Sequence, residues 1–237
     1  MAYDESRPAP PAEGIPDRLY GRRRGHPLRP RQQRLLDLTL PRLTLADPSA
    51  PRAAFGITPD ALWLEVGFGG GEHALEIASR HPRTALIASE VFENGLCSLL
   101  TNLVPEGGEA TAPLPANLRL WPRDARHLLA ALPDAALDRL FLMFPDPWPK
   151  ARHSKRRFVH PALLPLLAQK LRPGAEWRIA SDDPTYQAWV DEVMGAQNLF
   201  ELAEHHATHP EGWPHTRYEA KALREGRSPR WWVWRRK

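Results

Sequence analysis

Apolar residues recur along this chain in short blocks, and between the blocks they fall at helical spacing. Ala61 to Val66 is an apolar run that enters a glycine cluster, Gly67, Gly69, Gly70 and Gly71, and the pattern beyond it predicts a helix over Glu72 to Arg80. Thr84 to Ala88 reads as a second strand ending at Ser89-Glu90, and Asn94 to Leu103 as a helix. Leu118 to Trp121 is a third strand, followed by Asp124 and a helix over Ala125 to Leu132. Leu137 to Phe144 is a fourth strand, Pro161 to Leu171 a helix, Glu176 to Ala180 a fifth strand and Thr185 to Ala196 a further helix. Short apolar blocks bounded by turn residues mark buried strands, whereas a period near 3.6 marks helices. The last forty or so residues mix strand-like aromatics, Trp231 to Trp234, with polar loops. Upstream, Gln32 to Leu45 carries Leu35, Leu36, Leu38 and Leu40 at helical spacing until Pro41 interrupts. Residues 46 to 60 and 104 to 116 read as loops, and there is no internal repeat. Residues 1 to 30 are rich in Pro, Arg and Gly, lack periodicity and are expected to form a mobile basic arm ahead of one domain over 31 to 237.

Strands alternating with helices predict an α/β fold, a doubly wound and mostly parallel sheet with helices on both faces. Ligands of such sheets sit beyond the carboxyl ends of the strands. The glycine cluster, Glu90, Asp124 and Asp146 each follow a strand, so they are expected to share one rim.

Length and composition narrow the setting. The 237 residues suit one large domain. The single cysteine, Cys97, excludes an intrachain disulfide. With no charged-then-apolar start and no apolar run near the ~20 residues that span a bilayer, a signal peptide and a membrane span are not expected, and a cytoplasmic setting is. The net charge is only +4, but its distribution is uneven. One basic cluster is Arg7, Arg18, Arg22, Arg23, Arg24, Arg29, Arg31 and Arg34; a second runs from Lys150 to Arg157; a third holds Arg217, Lys221, Arg224, Arg227, Arg230, Arg235, Arg236 and Lys237. Clusters around a neutral core fit a polyanion-binding surface, although a basic terminus alone also suits a solvated tail.

The glycine turn admits a ligand close to the backbone. A dinucleotide fingerprint wants a glycine or alanine where Glu72 stands, and an acid there opposes a pyrophosphate. S-adenosylmethionine has no phosphate and carries a positive sulfonium, so Glu65 and Glu72 suit it. Glu90 is placed to accept from ribose hydroxyls and Asp124 from an adenine amino group; helix N-capping is the alternative for each. The segment Phe144 to Arg157, FPDPWPKARHSKRR, sets Asp146 between two prolines beside Trp148 and a dense basic run. Guanine N7 needs no base for methylation, because it carries no proton. It needs alignment, and a carboxylate that stabilises the developing purine cation. Asp146 is the candidate, and it can also select guanine through N1–H and the amino group. Trp148 offers a stacking face or a core ring, Lys150 a contact to phosphate or base, and Arg152, Lys155, Arg156 and Arg157 phosphate contacts. His153 suits a phosphate contact or a packed ring. Asp182 and the Thr216, Arg217, Tyr218, Glu219 segment are candidates for substrate contact, with N-capping open to Asp182 or Asp183. His205-His206 and His209 lack neighbouring ligands at metal spacing and read as a surface loop; no metal is expected.

Together these segments resemble the bacterial tRNA (guanine-N7-)-methyltransferases. Glu65 to Glu72 matches E-x-G-F-G-x-G-E, Asp124 to Leu129 matches D-A-x-x-L-L, and Phe144 to Arg157 matches F-P-D-P-W-x-K-x-R-H-x-K-R-R. Thr216 to Glu219 is similar to T-x-F-E with Tyr218 in place of Phe. The resemblance implies a seven-stranded, Rossmann-like class I methyltransferase fold, S-adenosylmethionine as methyl donor and a guanine of the tRNA variable loop as acceptor. It implies cofactor contacts from Glu65, Gly67, Gly69, Glu90, Asp124 and Asp146, and tRNA contacts from Lys150, Asp182 and Thr216 to Glu219. No obligate protein partner is evident. Two rivals remain. Amino-group methyltransferases carry an order resembling D-P-P-[YFW] where this chain has P-D-P-W, and a non-catalytic RNA-binding protein would share the fold without needing the glycines.

Overall fold

The computed structural model describes residues 23–237. Its strands are β1 (Ala61–Val66), β2 (Thr84–Ser89), β3 (Leu118–Trp121), β4 (Leu137–Met143), β5 (Leu171–Ser181), β6 (Phe200–His206) and β7 (Arg230–Arg236). They form one sheet in the order β3-β2-β1-β4-β5-β7-β6. β1 pairs in parallel with β2 and β4, and β7 runs antiparallel to both its neighbours. The helices are α1 (Pro30–Arg34), α2 (Leu40–Leu43), α3 (Glu72–Arg80), α4 (Glu93–Leu103), α5 (Ala125–Ala131), α6 (Leu164–Lys170), α7 (Pro184–Gly195) and α8 (Arg217–Arg224).

Side-chain alternation along the central strands divides the core between two faces. Leu62 and Leu64 of β1 join Leu128 of α5, Leu167 of α6 and Val190 of α7. Trp63, on the opposite face, joins Leu35, Ile77 of α3 and Leu99 of α4. Both faces are covered, so β1 reads as a nearly unbroken apolar run, and its one acid, Glu65, is left only 1% exposed. This is the doubly wound sheet the alternation predicts.

Four details differ from the sequence expectation. The helical path does not stop at Pro41. A π-helical turn over Leu35–Thr39 follows α1, with the Leu40 N–H reaching back to the Leu35 carbonyl. Pro41 then lies in the first turn of α2, where a missing N–H breaks nothing. β5 begins at Leu171 rather than Glu176; a bulge opposite Leu137 and Arg139 absorbs Pro173 and Gly174. β6 and α8 lie in what read as polar loop. β6 is an edge strand with most side chains in water, so it shows no apolar alternation. His205 and His206 therefore sit in a strand rather than a surface loop, with His205 stacked on Trp232 at 5.5 Å between ring centroids.

Most of the expected arm, including Arg7, Arg18 and Arg22, lies outside the described residues. Arg24 pairs with Glu93 at 3.1 Å, and the Gly25 N–H donates to the Asn94 side chain at 2.9 Å, against the first turn of α4. Among the described residues, no helix is long and apolar enough to cross a membrane.

Candidate active site

The glycine turn joins β1 to α3 and is held from three sides. The Gly67 N–H donates to the Ser89 carbonyl at 2.8 Å, tying the turn to the end of β2. Gly69, at φ +59°, donates its N–H to Glu90 Oε2 at 2.8 Å. A Cβ at Gly69 would stand 2.8 Å from Tyr218 Cε2, and one at Gly95 would stand 2.4 Å from the Gly69 carbonyl oxygen. The turn is thus wedged between α4 and the first turn of α8, and that contact, invisible in a local motif, requires the glycine.

Each strand-end acid except Asp146 has a local partner. Glu65 Oε2 lies 2.9 Å from His73 Nδ1 on α3, and both side chains are buried. Glu90 Oε1 accepts from the Val91 and Phe92 N–H groups at 2.8 and 3.0 Å. Burial pushes the Glu90 carboxyl above its usual range. The three backbone donors pull it down, and the nearby Asp146 charge adds to the rise. Asp124 caps α5, accepting from the Arg126 N–H at 2.9 Å while the Arg126 guanidinium bridges both oxygens at 3.0 Å. The capping alternative for Asp124 is therefore the one formed. An open cleft lies beyond the strand ends, with Gly67, Ser89, Glu90, Asp124, Arg126 and Lys155 among its lining residues.

The Pro-Asp-Pro turn follows β4. It begins where the Phe144 N–H donates to the Ala180 carbonyl of β5 at 2.8 Å. Phe144 and Trp148 have φ of +51° and +45°. This left-handed region is unfavourable for side chains other than glycine, and two such residues bracket Asp146. A clamp holds the turn. Arg157, 6% exposed, donates from Nε to the Pro147 carbonyl at 3.0 Å and from Nη2 to the Trp148 carbonyl at 2.9 Å. Its guanidinium also sits 4.7 Å over the Trp189 ring. Arg157, expected to contact phosphate, is turned inward on the turn itself. Arg156 lies over Trp148 at 4.7 Å, and His153 meets that ring edge-on at 6.0 Å. Trp148 therefore already has a cation on one face. Lys150, Arg152, Lys155 and Asp146 are exposed.

Thr216 caps α8, its Oγ1 accepting from the Glu219 N–H at 3.0 Å. Arg217 lies against Gly70 and 3.5 Å from Glu72 Oε1. Thr216 and Tyr218 join Glu65, Gly67, His73 and Met143 around a second, shallow pocket. Glu219 is 3% exposed, with Oε1 2.8 Å from His209 Nδ1 and Oε2 3.2 Å from His215 Nδ1. Asp183 caps α7, accepting from the Tyr186 N–H at 2.9 Å, so Asp182 is the acid left at the rim, paired with Arg227. Sequence reasoning missed His73, Arg157 as a clamp and the His209–His215 pair. The partners of His73, Arg157 and His209 come from other elements or from nine or ten residues away, beyond the reach of a spacing rule, whereas His215 and Glu219, four apart, lie within it.

This strand order, with its antiparallel seventh strand, a glycine turn after β1 and an acid after β2, defines a class I methyltransferase fold. Solved structures share the architecture. The 16S rRNA methyltransferase KamB aligns with a TM-score of 0.53 and 17% identity over 76% of this chain and 89% of that one. An antibiotic-related methyltransferase aligns with a TM-score of 0.52 and 12% identity over the same shares. A family model described as "Putative methyltransferase" matches residues 59–230. The tRNA (guanine-N(7)-)-methyltransferase of Granulibacter bethesdensis is 68% identical over 218 residues, 92% of this chain and 94% of that protein. The protein of the same name from Rhodospirillum rubrum is 46% identical over 231 residues, 93% and 88% of the two chains. The chain belongs to the tRNA (guanine-N(7)-)-methyltransferase family.

Proposed function

We propose that this enzyme transfers a methyl group from S-adenosylmethionine to N7 of a guanine in the variable loop of tRNA, in the cytoplasm. One observation carries the reading. The open cleft beyond the strand ends is lined together by Gly67 of the glycine turn, the acids Glu90 and Asp124, and Lys155 of the basic run that follows Asp146.

The residues fit the donor. S-adenosylmethionine supplies an electrophilic methyl on a cationic sulfonium. Glu65, buried against His73, presents negative charge beside the glycine turn and suits the ammonium of the methionine moiety. Three of the four acceptor positions of Glu90 are taken by backbone N–H groups. One remains, on Oε2, for a ribose hydroxyl. Asp124 recognises an adenine amino group only in competition with Arg126. Gly67 and Gly69 let the ligand lie against backbone.

Asp146 works on the acceptor. Its carboxylate takes hydrogen bonds from guanine N1–H and the amino group, which sets N7 toward the methyl, and its charge stabilises the cation that forms on the purine. Held between two strained residues, it reorganises little during the reaction. Lys150, Arg152, Lys155 and Arg156 accompany it as contacts to phosphate or base, with Asp182 after β5 and Thr216, Arg217 and Tyr218 at the start of α8 as further substrate contacts.

The test is labelled methyl transfer to tRNA, followed by reduction and aniline cleavage, because only N7-methylated guanine makes the strand labile. Asp146→Ala should lose transfer while its melting curve stays that of the parent. Near-normal turnover in that variant rejects the role of Asp146, and a product resistant to aniline rejects N7 as the acceptor.

A further inference from the structure

Glu219, expected to contact tRNA, is instead buried against His209 and His215, and the three form a cluster that the methyl-transfer reading leaves without a role. Their ligand-type atoms all lie within 4.8 Å of one another. Three facts set its chemistry. The His209 Nε2 bonds to the Trp213 carbonyl at 3.0 Å. A carbonyl can only accept, so the proton sits on Nε2 and a neutral ring keeps its Nδ1 lone pair free. That Nδ1 is buried and, among the described residues, has no hydrogen-bond partner, although Glu219 Oε1 is 2.8 Å away. A lone pair facing a carboxylate oxygen at that distance is repulsive unless a cation lies between them. Second, Glu219 is buried, and its two oxygens are directed one to each imidazole. A buried carboxylate requires a positive partner. Third, the two rings stack at 3.8 Å between centroids and 20° between planes, so the two Nδ1 atoms that face Glu219 belong to neighbouring rings.

We infer that His209 Nδ1, His215 Nδ1 and a Glu219 carboxylate oxygen bind one divalent transition metal ion, with Zn²⁺ the best match. Two imidazoles and a carboxylate are a zinc donor set with one open position. An imidazole whose other nitrogen donates to a backbone carbonyl is the usual arrangement around a bound metal. With metal–ligand bonds of ~2.1 Å, tetrahedral ligand atoms stand ~3.4 Å apart. The present arrangement must open: the exposed His215 ring turns out of the stack to bring its Nδ1 lone pair onto the ion, and Glu219 Oε1 draws back from His209 Nδ1 by ~0.6 Å. The ion would tie the 209–215 loop to the first turn of α8, whose Tyr218 covers Gly69. The role is structural, and it is independent of whether the substrate is tRNA.

Calorimetric titration of Zn²⁺ into the chelator-stripped full-length chain, without a polyhistidine tag, tests this. One ion should bind per chain with a dissociation constant below ~10 µM and raise Tm by roughly 5–10 °C at a hundredfold excess over that constant. His215→Ala, a change at an exposed ring, and Glu219→Gln should each weaken binding at least tenfold. No stoichiometric binding, or equal affinity in both variants, overturns the site and leaves a proton on His209 as the cation.

Discussion

Replacing Arg157 separates the two roles a basic residue in the FPDPW segment can play. Arg157→Met keeps the length and apolar stem and removes every donor. The structure sets the magnitudes. Two hydrogen bonds from a guanidinium to backbone carbonyls, at 3.0 and 2.9 Å, contribute about 1.5–3 kcal/mol each, and the stack on Trp189 about 1 kcal/mol. Against them stands the left-handed backbone at Phe144 and Trp148, costing about 1–2 kcal/mol per residue. The clamp exceeds the strain by only a few kcal/mol, so without it the turn should relax and Asp146 should move. A shift on the order of 1 Å at a reacting group lowers the rate about 100-fold.

The assay is single-turnover methyl transfer at saturating tRNA and methyl donor, alongside KM for tRNA across a salt series. The expected result is a kcat reduced about 100-fold, a tRNA KM changed less than threefold and an unchanged salt slope. Arg157→Lys, which keeps the charge but makes one of the two bonds, should fall between. Should kcat survive while the KM for tRNA rises and the salt dependence flattens, Arg157 is the phosphate contact its sequence position suggests, and the clamp argument fails.

Four further outcomes follow from the glycine turn and its acid. Ribose hydroxyls favour an ionised Glu90, and burial raises this carboxyl, so affinity for S-adenosylmethionine should be full above the raised pKa and fall as pH drops through it, starting above the usual glutamate value of about 4.3; calorimetry giving constant affinity from pH 7.5 to 4.5 would exclude the contact. In the donor-free protein the same raised carboxyl favours folding at low pH, an advantage lost as pH rises through the raised pKa, so the two pH dependences should have opposite signs. Gly69→Ala should weaken donor binding at least tenfold by driving a Cβ into Tyr218, and Gly69→Ala/Tyr218→Ala should lose less than the sum of the single variants; strict additivity would deny the contact. Gly95→Ala should destabilise the protein by about 1–3 kcal/mol in denaturant melts, because its Cβ would press on the Gly69 carbonyl oxygen, and an unchanged midpoint would contradict that packing.

The elements that read correctly from sequence share a physical reason. β1, α3 and β3 are bounded by glycine, proline or a capping acid, and their apolar faces are fully buried, so pattern and boundary agree. β6 and α8 were hidden because a solvated edge strand and a helix with few buried residues carry little apolar signal. The acids at the strand ends were legible, since topology alone collects them. Their partners were not: His73 meets Glu65 across a helix, and Tyr218 reaches Gly69 from the far end of the chain. Charge clustering misled in a similar way. Arg34 lies 3.4 Å from the buried Glu109, while Arg227 pairs with Asp182 and Arg230 with Asp191. Part of the basic surface read from composition is therefore neutralised within the fold.

The distribution of partners also bears on the role proposed for Asp146. Carboxylates gathered on one rim repel one another, and local partners offset that repulsion. Glu65 has His73, Glu90 has three backbone donors and Asp124 has Arg126. Among the described residues, no hydrogen bond or ion pair holds the Asp146 side chain; the clamp acts on the backbone around it instead. A carboxylate positioned through its main chain keeps its acceptor sites free for a ligand. While exposed it is stabilised by water, and its attraction for a distant cation is weak. In the proposed reaction a purine covering the turn would displace that water, and the same charge would then act at a lower effective dielectric on the ring that becomes positive. Rigid backbone and unpartnered side chain are thus two halves of one requirement, and the left-handed residues on either side of Asp146 are where the fold meets it.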